Sequence, residues 1–143
     1  MDDLATAYAD TVRAVAASVS NVYDDEWGDR EWKRLVVDFE SLMHTDDPAT
    51  SSLSFAIARA PGRPLEKVSF DLSQEAEDGF LRVARTMQQQ KGQWWTTARL
   101  TVDAGGRYDF QFDYGPPYRL SGNLNDTRYR DYLDRYVAET GER

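Results

Sequence analysis

Trp94-Trp95-Thr96-Thr97-Ala98-Arg99-Leu100-Thr101-Val102-Asp103-Ala104-Gly105-Gly106-Arg107-Tyr108-Asp109-Phe110-Gln111-Phe112-Asp113-Tyr114 is the stretch that decides the fold. Asp103-Ala104-Gly105-Gly106 separates two runs of β-formers, and its two glycines accept the positive φ that a tight connection needs. The spacing predicts a hairpin of Trp94–Val102 and Arg107–Tyr114. On the second arm Tyr108, Phe110, Phe112 and Tyr114 point one way, while Arg107, Asp109, Gln111 and Asp113 point the other. The aromatic row is expected in the core, each ring burying roughly 150–250 Å². Truncating Phe110 to Ala should then cost about 3–5 kcal/mol. Pro116-Pro117 must end the arm, because proline brings no amide to a ladder.

Upstream of the hairpin, Ser73 reads as the N-cap of a helix running to about Lys91 and closed by Gly92. Ala76, Phe80, Val83, Ala84 and Met87 form its buried stripe, and Gly79 inside it costs about 1 kcal/mol against Ala. Trp32–Leu42 reads as a strand with Leu35, Val37 and Phe39 inward and Arg34, Val36, Asp38 and Glu40 on the other side. Leu53, Phe55 and Ile57 mark a second strand, and Leu65–Leu72 a shorter third. Leu4, Tyr8, Val12, Val15, Val19 and Val22 draw one helical stripe over residues 4–22. Tyr129, Tyr132, Leu133, Tyr136 and Val137 draw another, over roughly 126–139. The order is α-β-β-β-α-β-β-α. The fold expected is a single α+β domain over residues 1–143, with an antiparallel sheet of about five strands and N-terminal, central and C-terminal helices.

The chain has 143 residues, no cysteine and one histidine, His44. Disulfides, thiolate zinc sites and thiol nucleophiles are therefore excluded, and no cofactor or metal is expected. No Gly-rich phosphate cradle or calcium-loop spacing is present. His44 lies near Asp46 and Asp47 in a polar loop without a serine-nucleophile motif, which favours a surface histidine over a general base. Met1-Asp2-Asp3 is acidic where a signal peptide is basic, and no apolar run is long enough to span a bilayer, so a cytoplasmic location is expected.

The formal net charge is −8. Residues 1–50 hold 12 acids and four bases, whereas residues 51–143 hold 13 of each. A field of that sign opposes nucleic acid and anionic lipid and favours a cationic protein. The acids at 24–31 and 38–47 border the first strand, with Trp27 and Trp32 among them. An acidic rim with aromatic anchors suits a protein interface. The bland alternative makes both tryptophans edge-of-core residues beneath a solvated loop.

The segment Trp94–Tyr108, continued by Phe110 and Phe112-Asp113-Tyr114, resembles the YezG-like immunity proteins. Their pattern has a tryptophan opening a strand, an L-T-[VL] run, a turn ending in G-[KR]-[FY] and an aromatic strand ending near D-Y. A polar loop and a Tyr- or Trp-rich helix come next in that family, as at 118–137 here. The Pro116-Pro117 pair, the Ala60–Pro64 turn and the His44–Ser52 loop do not belong to the pattern. The resemblance implies an antitoxin that neutralises a cognate polymorphic toxin, often a nuclease, and it carries no catalytic residues. The partner expected is a basic toxin domain. The expected docking residues are Asp24, Asp25, Glu26, Trp27, Asp29, Glu31, Asp46 and Asp47, with the Asp109, Gln111 and Asp113 row as second choice. Rival readings are a small hydrolase using paired carboxylates and an intracellular adaptor or chaperone.

Overall fold

The computed structural model describes residues 3–23, 26–43 and 45–142. Its elements are α1 (Leu4–Ser18), β1 (Glu31–Leu42), β2 (Ala49–Arg59), β3 (Glu66–Ser69), α2 (Gln74–Lys91), β4 (Thr97–Asp103), β5 (Tyr108–Asp113) and α3 (Tyr132–Thr140). The five strands form one antiparallel sheet in the order β3-β2-β1-β4-β5. This is the α+β architecture and element order the sequence predicts.

Alternation along β1, the central strand, assigns the two faces. Leu35, Val37 and Phe39 join Ala98, Leu100 and Val102 of β4 in the main core beneath α1 and α2. Phe39 is fully buried, with Phe80 stacked at 4.7 Å and Trp95 edge-on at 6.2 Å. On the other face, Val36, Phe55, Ile57, Leu65 and Tyr136 form a smaller core under α3. Arg34, Val36, Asp38 and Glu40, read from sequence as the solvent side, therefore lie under a second cover. Val36, Asp38 and Glu40 are buried.

Ser73 caps α2 by accepting from the Ala76 amide, and Gly92 closes it at φ 74°. Gly79 sits where α2 crosses α1: a Cβ there would stand 2.6 Å from Thr11 Oγ1 and 3.2 Å from its Cα. The helix tolerates glycine because no larger residue permits that approach. At the carboxyl end of α1, Ser18 Oγ accepts from the Ser73 amide at 3.0 Å, tying the two helices there as well.

α1 crosses the sheet rather than running along its strands. Tyr8 stacks on Phe110 of β5 at 4.5 Å, and Val22 bridges Phe70 beyond β3. Phe110, Leu100, Val37 and Ser54 are consecutive cross-strand partners, and Phe70 N–H donates to Ser54 O. Those residues form one row across the sheet. The segment from Tyr8 to Val22 thus runs perpendicular to the strands and spans the full width, about 19 Å for five strands.

Several sequence boundaries move. α1 ends at Ser18, and Val22 enters a β-bridge instead. β4 begins at Thr97 rather than Trp94, since Thr96 donates to Gly115 O and turns the chain into the sheet. α3 begins at Tyr132 rather than near 126, because the Asp126 carboxylate accepts from the Arg128 amide and holds that stretch in a turn. Only half of the aromatic row of β5 packs on the main core, through Phe110 and Phe112. Tyr108 and Tyr114 are exposed, and Phe110 and Phe112 are half-buried at the sheet edge.

That difference sets a graded expectation. Phe39→Ala should destabilise by about 3–5 kcal/mol and Phe110→Ala by clearly less, since only part of its ring leaves water on folding. Urea denaturation of both variants checks it; equal losses contradict the edge position of Phe110.

Candidate functional site

Asp38 and Glu40 are two residues apart on β1, so strand alternation aims both at the face under the C-terminal segment. Both are fully buried. A buried carboxylate is costly unless paired and hydrogen-bonded, so the chain must bring cations to them. Pro116-Pro117 breaks the strand direction after β5, and the next loop returns across this face carrying Arg119, Asp126 and Arg128.

Arg119 is the centre. Its guanidinium stands 3.1 Å from Asp38 Oδ1, 3.4 Å from Glu40 Oε2 and 2.9 Å from Asp126 Oδ2. It also donates to Ser51 Oγ at 2.9 Å and to the Asp38 carbonyl at 2.8 Å. The backbone amides of Arg119 and Leu120 donate to the two Glu40 oxygens at 3.0 and 2.9 Å. Arg128 pairs with Asp126 at 2.6 Å, approaches Asp38 at 3.4 Å and lies 4.2 Å over the Tyr118 ring. The Tyr129 hydroxyl donates to Asp38 Oδ2 at 2.5 Å. Arg99 of β4 sits 3.7 Å from Asp38 and 2.5 Å from Asp113.

The hydrogen bond from Arg128 holds the Asp126 carboxyl well below the usual carboxylate range, and the Arg119 bond adds to that. Burial, then the bond to Asp38, pushes the Tyr129 phenol above its ordinary value. The same bond to Asp126 raises Arg128 against the cost of burial. Each convergent acid is thus committed to a guanidinium, and the phenol is kept protonated. Such a set fixes the geometry of the C-terminal segment on the sheet.

Beside this network lies an open hollow of about 420 Å³, lined by Thr97, Arg99, Asp113, Tyr118, Ser121 and Arg128 among others. A larger one, about 500 Å³, lies by Trp27 and includes Glu26, Asp29, Arg30, Arg63 and Glu66. Arg30 grips both Glu66 oxygens at 3.2 Å. Both hollows are open, and charges of both signs line them. Among the described residues no group of three or more acidic or histidine side chains is placed to hold a metal.

The residues expected to dock a partner fall into separate groups. Asp24 and Asp25 lie outside the described residues, as does His44, the expected surface histidine. Glu26, Asp29 and Glu31 are exposed at the entry to β1, while Trp27 is half-buried and packs on the main core. Trp32 packs there too, so both tryptophans are edge-of-core residues. Asp46 and Asp47 are exposed at the turn after β1. β1 has 12 residues, which puts roughly 36 Å between its two acidic ends. The amino-terminal acids therefore do not form one patch. Asp109 and Asp113 are exposed on β5 at an edge of the sheet.

The C-terminal arginines went unread in the sequence. The signal was the alternation itself: two acids in register on a strand whose next layer, the tyrosine-rich C-terminal segment, needs a surface to cover. Comparison with protein-family models and with curated proteins finds no match for this chain.

Arg119→Met should destabilise by about 3–5 kcal/mol, because it leaves buried carboxylates without their shared cation. A loss below about 1 kcal/mol in urea denaturation contradicts the clamp. Asp126, whose folded pKa is depressed, contributes stability present above the unfolded carboxylate value near ~3.9 and lost as pH falls toward its folded value. The stability gap between wild type and Asp126→Asn should therefore be full at neutral pH and narrow toward pH ~3. A gap that widens in acid contradicts the assignment.

Proposed function

We propose that this chain is a non-catalytic, YezG-like immunity protein that binds a cognate, basic toxin domain of nuclease type and neutralises it. The observation that carries the reading is the division between its carboxylates. Those that converge in the interior, Asp38, Glu40 and Asp126, are tied to arginines. Among the described residues no cation pairs with Asp29, Glu31, Asp46 or Asp47, which stand on open surface. Hydrolysis by paired acids needs carboxyl groups with pKa values pushed apart inside a closed pocket. Dispersed, solvated acids serve instead to steer a positively charged protein into contact.

The segment that carries the family resemblance supports the same reading, since residues 97–113 form the β4–β5 hairpin. A nuclease must present cations to hold a phosphate backbone, so an acidic binder suits that surface. Among the described residues no helix is long and apolar enough to cross a membrane.

The test is co-expression with the C-terminal domain of the neighbouring large reading frame. That domain alone should arrest growth, and this chain should restore growth and co-purify with it. Association should slow as salt rises, because steering is screened over about 8–10 Å at physiological ionic strength. Unrelieved arrest, or substrate turnover by the purified chain, overturns the reading.

A further inference from the structure

The sheet has two edges, and they are treated differently. β3 has four residues, and Val22 bridges Phe70 just beyond it. Lys67 of β3 reaches across to the Tyr129 carbonyl at 2.7 Å, under the C-terminal layer. That edge is short and covered. β5 has six residues and, among the described residues, pairs only with β4. It contains no proline, lysine or bulge, and the charges it carries, Asp109 and Asp113, are both acidic. Ladder bonds such as Asp103 N–H to Arg107 O direct the odd-numbered backbone groups toward β4. By alternation, the amides and carbonyls of Tyr108, Phe110 and Phe112 face outward.

α1 supplies a roof. Tyr8 lies over β5, and the helix runs across the strands, so its first turn continues past the edge. Asp3 to Tyr8 spans about 7.5 Å along the axis, and a sixth strand would lie about 4.8 Å beyond β5. The turn holding Leu4, which packs against the main core, therefore borders that lane. We propose that the lane between the β5 edge and the first turn of α1 accepts one β-strand of a partner protein, with apolar residues alternating with Arg or Lys. Its apolar side would extend the Tyr108, Phe110 and Phe112 row beneath Leu4 and Tyr8. Its basic side would meet Asp109, which is exposed and among the described residues accepts only from the Gln111 side-chain amide; Asp113, also exposed, is already paired with Arg99 at 2.5 Å. Arg107 lies in the turn before the strand and outside that stretch.

A second copy of this chain fits poorly. Edge-to-edge pairing would bring the face carrying Asp109 and Asp113 up against the same face of its copy, and like charges beside one another across strands are destabilising. The inference rests on the partner-binding reading above, and it names the face and the chemistry of the contact.

The experiment titrates the labelled full chain with a short blocked peptide alternating Arg and Val, and separately with its Glu/Val counterpart. The Arg/Val peptide should shift the Phe110 and Phe112 amide resonances and slow their hydrogen exchange, while the Glu/Val peptide should not. Asp109→Lys, at an exposed position that leaves the fold intact by circular dichroism, should weaken the Arg/Val peptide about fivefold. Equal response to both peptides, shifts centred on the Trp27 hollow, or wild-type dimers joined through β5 overturn the proposal. No toxin enters this assay. An edge that ignores the peptide while the chain still rescues growth sinks the docking lane alone; an edge that binds while rescue fails sinks the immunity reading alone.

Discussion

Two carboxylates at the centre of β1 govern the second half of the molecule. Asp38 and Glu40 have no exposure at all, and neither has a cation on its own strand neighbours except the distant Arg99. Their burial is tolerable only because the chain after β5 turns back at the proline pair and delivers Arg119 and Arg128 onto them. Removing one partner from such a set leaves an unpaired buried charge, which costs far more than the intact pair contributes. The network thus fixes one path for residues 115–131, and with it the position of α3 over Val36, Phe55 and Ile57.

The same commitment bears on function. Backbone amides take up both Glu40 oxygens and a phenol takes Asp38 Oδ2, while Asp38 Oδ1 is held by its ion pair with Arg119 alone and accepts no hydrogen bond among the described residues. What stands exposed lies outside: Asp29, Glu31, Asp46 and Asp47 at the two ends of β1, Asp109 on β5 and the outer edge of that strand. Those features are the ones the proposed partner-binding reading draws on. They also locate it, since the two ends of β1 are too far apart for one small interface, whereas the edge of β5 combines charge, aromatic surface and hydrogen-bonding backbone in one place.

Much of the fold is legible in the sequence, and the reasons are particular. Ser73 and Gly92 bound α2 because cap chemistry is local. The β4–β5 hairpin comes from Gly105-Gly106 and strict alternation on one arm. The faces are harder. Arg34, Val36, Asp38 and Glu40 look like a solvated row when charge alone is read, and only the returning C-terminal segment buries them. The β5 aromatics look like uniform core for the opposite reason: ring content cannot report that the strand is an edge, where Tyr108 and Tyr114 stay exposed. The site is legible as acidity but not as position, because the length of β1 separates acids that are near neighbours in the sequence. α3 starts late since a single Asx-type turn at Asp126 overrides a continuous apolar stripe.

Native-state hydrogen exchange of the Arg119 and Leu120 amides, both bonded to Glu40, tests most directly whether the buried charges clamp the two halves together. Exchange of both only through global unfolding, with the same denaturant dependence as the amides of β1, is the predicted result. Exchange through a local opening, at low free energy while β1 stays protected, would show that the arginine segment merely rests on the sheet.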